Sequence, residues 1–90
     1  MPKFTYPIVF ILNEEAGKYN ALIPDLGITF VEDTLESVYA CAEEVMHRFF
    51  TLALEHEIEY GTPSTLEEIS DRWVGKGYKV SLITANISKK

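Results

Sequence analysis

The chain reads as an α+β domain: an antiparallel three-stranded meander plus a fourth strand, covered on one face by one long helix. The order is β-β-β-α-β, with a short second helix possible after the long one. Three observations predict this. One stretch, from Asp33 to about His56, carries apolar residues at three- and four-residue steps. Three short segments rich in β-branched and aromatic residues precede it, separated by turn residues. One more alternating segment follows near the C-terminus.

The helix has a marked start. Asp33 is placed to accept hydrogen bonds from the free N–H groups of the first turn, and Glu36 follows three residues later, the capping-box spacing. Leu35, Val38, Ala42, Val45, Met46, Phe49 and Ala53 then form a stripe that Tyr39, Phe50 and Leu54 widen. Glu36, Ser37, Glu43, Glu44, Arg48, Thr51 and Glu55 fall mostly opposite. Such a helix is about 35 Å long with one broad buried face.

Phe4 to Leu12 is the first strand, too short and too β-branched for a helix. Pro7 has no N–H, so pairing on that side is expected to begin after it. Tyr6, Ile8, Phe10 and Leu12 point to one face and Val9 and Ile11 to the other, which predicts a central strand. Asn13 to Lys18 is a polar turn, and Tyr19–Ile23 returns as the second strand of a hairpin. Pro24-Asp25-Leu26-Gly27 breaks it, and Ile28–Glu32 is a third strand. After the helix, Glu57 to Pro63 is a connection. Ser64 with Glu67 suggests a second capping box, opening a helix of one or two turns that ends at Gly75 and Gly77. Tyr78–Ala85 alternates as the last strand, expected to run parallel to the first after a right-handed crossover. Asn86 to Lys90 reads as a polar tail. With a single helix layer, Val9 and Ile11 are expected on an uncovered apolar face suited to oligomerisation.

Ninety residues with 47% hydrophobic content are enough for one domain, spanning residues 1–90, with a packed core. Fourteen acidic against eight basic residues give a formal charge of −6. That balance repels phosphate backbones and favours a basic protein partner; a role in solubility alone is the competing reading. The single cysteine, Cys41, allows no intrachain disulfide or CxxC pair and reads as a packed helix residue. There is no signal peptide pattern, and the longest apolar run is too short to span a bilayer, so a cytoplasmic protein with no membrane contact is expected. Asn86-Ile87-Ser88 matches a glycosylation sequon but carries no weight without secretion.

Four pieces, in order, resemble the HicB-like antitoxin family: Tyr6-Pro7-Ile8-Val9, Pro24-Asp25-Leu26, Asp33-Thr34-Leu35-Glu36 and Pro63-Ser64-Thr65-Leu66-Glu67-Glu68. Val80-Ser81-Leu82-Ile83 fits the family's last strand. The resemblance covers nearly the whole chain. It implies a partial RNase-H-like fold and a bacterial antitoxin of a type II toxin-antitoxin system. Such a protein neutralises a small basic mRNA-cleaving toxin of the HicA type, and family members are commonly homodimers or higher oligomers. Two departures stand out. Gly27-Ile28-Thr29 replaces the family's usual Pro-Gly-Cys, and the chain ends at Lys90, where many members continue into a DNA-binding domain. A single-domain member with no C-terminal DNA-binding domain is therefore expected.

Under this reading Glu14, Glu15, Asp25 and Glu32, at the sheet ends, are the candidate toxin contacts, and Val9 and Ile11 the candidate oligomer face. The RNase-H-like fold raises a metal-nuclease reading for Glu32, Asp33 and Glu36, with Asp25 near. Such a site needs several carboxylates converging on Mg²⁺, whereas Asp33 and Glu36 already have a capping role. His47 and His56 are nine residues apart, not at an i, i+4 ligand spacing. The expectation is a protein with no catalytic residues, no metal and no cofactor. The competing functional reading is an oligomeric scaffold or ligand-sensing module of the same family without a toxin.

Overall fold

The structure, a computed structural model, describes residues 3–87. Strands β1 (Lys3–Asn13), β2 (Lys18–Ile23) and β3 (Ile28–Glu32) form the expected meander, and helix α1 (Leu35–His56) follows directly. Helix α2 (Leu66–Trp73) runs into a 3-10 turn (Val74–Lys76), and β4 (Lys79–Asn86) closes the fold. The four strands make one sheet in the order β3-β2-β1-β4, so β1 is central.

The two faces of β1 build two cores. Tyr6, Ile8 and Phe10 meet Ala21, Ile23, Ile83 and Ala85 beneath Val38, Ala42, Met46 and Phe50 of α1. Leu35 lies outside this stripe, exposed at the helix start. At the lower end, where β1 begins, Phe50 is fully buried and is the hub of an aromatic cluster. Phe4 stacks on it at 4.0 Å and Tyr60 meets it edge-on at 5.0 Å. Ile87, expected in a polar tail, is 2% exposed and belongs to this core; Ser88 to Lys90 lie outside the described residues.

The opposite face is not left bare. Helix α2 packs on β4 and β1, burying Ile69 and Val9. The expectation of a single covered face is thus corrected. The same helix corrects the direction of the last strand, which is antiparallel to both its neighbour β1 and the expectation. Helix α1 returns the chain to the lower end, and α2 with its 3-10 turn carries it back up the other face. The last strand therefore starts at the upper end and descends. A connection with one helical traverse would have given the parallel strand.

Both helix starts sit one residue later than the spacing suggested. Thr34, not Asp33, is the cap of α1: its Oγ1 accepts from the Ser37 N–H at 3.0 Å, while Asp33 pairs with Lys18 at 2.9 Å. Thr65, not Ser64, caps α2 in a complete box. The Thr65 Oγ1 accepts from the Glu68 N–H at 3.1 Å, and Glu68 Oε1 accepts from the Thr65 N–H at 3.0 Å. The bonds from Thr65, the backbone one first, hold the Glu68 carboxyl below its ordinary pKa.

Two predictions follow from these contacts. Replacing Phe50 with Ala removes the hub of the aromatic cluster and is expected to cost about 3–5 kcal/mol, measured by urea unfolding. That is comparable to the whole stability of many domains this size. The Glu68 box stabilises fully above the carboxyl's unfolded pKa and is lost as pH falls through the lower folded value. Far-ultraviolet dichroism during acid titration should show α2 loosening in that window, and Glu68→Gln should remove that step.

Candidate functional site

Topology separates the four acidic residues that the sequence grouped. Glu14 and Glu15 are exposed in the upper turn between β1 and β2, where the Gly17 N–H closes onto the Asn13 carbonyl at 2.8 Å. Glu32 ends β3 at the same upper end, half-buried beside Cys41. Burial first, and Glu32 second, push the Cys41 thiol up, so it is a poor thiolate nucleophile. Asp25 sits in the turn at the lower end, the length of β2 away, about 17 Å at 3.4 Å per residue.

Asp25 is also already engaged. Its two carboxylate oxygens accept from the Ser64 N–H at 2.8 Å and the Ser64 hydroxyl at 2.7 Å. Beside this pair the Tyr6 hydroxyl donates to the Gly61 carbonyl. Burial, then Tyr60 and Asp25, raise the Tyr6 pKa and keep that donor protonated. Gly61 is required here, because a Cβ would lie 2.6 Å from the Asp25 carbonyl oxygen. These contacts tether the connection after α1 to the turn after β2. As a contact surface for a partner, Asp25 is therefore replaced by a structural role.

The expected oligomer face is corrected in the same way. Val9 has no exposed area, lying under α2, and Ile11 is half-buried against the turn at Gly77. Neither forms an open apolar surface. What remains open on this side is a groove of about 530 Å³ between β2–β3 and the end of α2. It is lined by Asn20, Leu22, Thr29 and Val31 on one side and by Trp73 and Tyr78 on the other. The two aromatic rings brace each other at 5.0 Å, edge to face. The aromatics flanking Gly75 and Gly77 were the available signal for this groove; without the position of α2 they could not be placed on it.

The acidic entry to α1 does not converge. Asp33 faces Lys18, and His47 and His56 are both exposed on α1. Among the described residues no group of three or more His, Cys, Asp and Glu side chains is arranged to hold a metal ion. Also among them, no helix is long and apolar enough to cross a membrane. The chain's surface is predominantly acidic, and only two ion pairs form among the described residues, Lys18–Asp33 and Arg48–Glu44.

Comparison with family models, curated proteins and solved structures finds no match to this chain.

The tether generates a test. Asp25→Ala leaves the Ser64 N–H and hydroxyl without their acceptor and is expected to cost about 2 kcal/mol. Ser64→Ala removes only the hydroxyl bond and should cost about 1 kcal/mol. In a double-mutant cycle followed by urea unfolding, the two losses should be less than additive.

Proposed function

We propose that the chain is a HicB-like antitoxin that neutralises a small basic HicA-type RNA-cleaving toxin by covering its RNA-contact surface. The observation that carries this is the junction at the lower end of the sheet. Tyr6, Asp25, Ser64 and Thr65 come from three of the four pieces that carry the resemblance, and they meet there as bonded or neighbouring groups. Sequence pieces that look weak one by one thus have a common physical reason to occur together. The net charge of −6, with only two ion pairs among the described residues, favours encounter with a basic partner and suits a mechanism by occlusion. In this reading the chain carries out no chemistry and works in the cytoplasm beside its toxin. The exposed Glu14 and Glu15, with Glu32 at the same upper end of the sheet, are the acidic contacts that remain after Asp25 is withdrawn.

The alternative, a toxin-free scaffold or ligand-sensing module, draws its support from the open groove beside Trp73 and Tyr78. The two readings separate in one experiment. The chain is co-expressed with a small basic protein encoded next to it and captured by affinity tag. Stoichiometric recovery and relief of growth arrest are expected for the antitoxin, with Glu14→Lys/Glu15→Lys weakening capture at least tenfold. Growth arrest that persists, with no co-purification, refutes it.

A further inference from the structure

The two free edges of the sheet are guarded unequally. Strand β3 has five residues and ends in Glu32, with Asp33 next. Strand β4 has eight, with neither charge nor proline from Val80 to Asn86, and its register with β1 is unbroken by any bulge. Natural edge strands are usually protected by just those features. The backbone of β4 also presents itself outward. Leu82 faces Pro7, which has no N–H to give, and Thr84 faces Thr5 with their hydroxyls 2.8 Å apart, as in the close, non-hydrogen-bonded pairs of an antiparallel ladder. The N–H and C=O groups of Val80, Leu82 and Thr84 therefore point away from β1, to the open edge. Beside them the Leu82 side chain is 48% exposed.

We infer that β4 is a homodimer interface, in which two copies pair β4 to β4 antiparallel about a two-fold axis. Charge selects a second copy as the occupant. Registers that pair most of the strand set Val80 opposite Thr84 or Asn86, and so set Lys79 opposite Ala85 or Ile87. The side chain of Lys79 projects on the α1 side of the sheet, because it stands opposite Phe10 of the α1 core. On that side, α1 hangs Glu43 and His47 over Thr84, Ala85 and Asn86, leaving a shallow groove of about 230 Å³. The second copy's Lys79 enters this groove and meets Glu43, and the symmetry makes the pair twice. No like charges oppose along the strand itself. This inference replaces Val9 and Ile11 as the oligomer surface and is independent of any toxin.

The test is sedimentation velocity on the full chain at about 100 μM, where a micromolar dimer is populated. A dimer is expected, weakened at least tenfold by Lys79→Glu or by Glu43→Lys and largely restored in the double exchange. Leu82→Pro removes an N–H that only the open edge uses and should give a folded monomer; Leu82→Lys serves if the proline variant loses its dichroism spectrum. A wild-type monomer at this concentration overturns the inference. So does a dimer indifferent to the Lys79 exchange or to the folded Leu82 variant.

Discussion

The carboxylate of Asp25 holding the N–H and hydroxyl of Ser64 is the interaction on which the rest of the arrangement depends. It fixes the point at which the chain leaving α1 crosses beneath the sheet. From there the chain rises along the face opposite α1. Helix α2 then covers Val9, the 3-10 turn returns the chain to the upper end, and β4 descends beside β1. The Tyr6 hydroxyl on the Gly61 carbonyl holds the same connection from within the α1 core, so both cores are anchored at one junction. Half-burial makes these bonds matter: an unsatisfied carboxylate or hydroxyl there would keep its desolvation cost without compensation.

Sequence periodicity located all four strands and both helices, because side-chain alternation and the 3.6-residue stripe are local properties of the chain. What it could not see was direction. Alternation in Tyr78–Ala85 assigns faces equally well to a parallel or an antiparallel strand. The choice was made by α2, whose short weak stripe of Leu66, Ile69 and Trp73 gave little sign that it spans the sheet. The caps were misplaced for a related reason. Asp33-Thr34 and Ser64-Thr65 each offer two adjacent capping residues, of which the first has the somewhat stronger intrinsic preference. In each case the first has a tertiary partner, Lys18 or Asp25, and the second is left to cap. Long-range partners decide such cases, and no window of sequence contains them.

The same division explains how little of the candidate surface was legible. Glu14 and Glu15 were readable because a polar turn at a hairpin tip is exposed whatever the rest of the fold does. Asp25 was not, because its partner lies 39 residues away. Val9 was not, because its cover comes from α2, an element distant in sequence. Residues from three of the four pieces that carry the family resemblance meet at the junction. They speak to architecture, and a proposed partner must be recognised by the surface around them, where acidic side chains are plentiful and, among the described residues, mostly without an ion-pair partner.

The junction also determines which edge of the sheet is left open. A parallel last strand would have presented a different set of peptide groups and turned Lys79 towards the lower end. With β4 antiparallel, Pro7 has no N–H and so needs no inward acceptor at Leu82, and the outward groups fall on the uncharged middle of the strand. Lys79 then stands at one end of that edge and Glu43 above the other. A two-fold axis brings opposite ends of an edge together, so one cation and one anion placed at its two ends are complementary to themselves. The two bonds from Ser64 to Asp25 thus bear, through the path of the chain and the direction of β4, on the surface at which two copies can recognise each other.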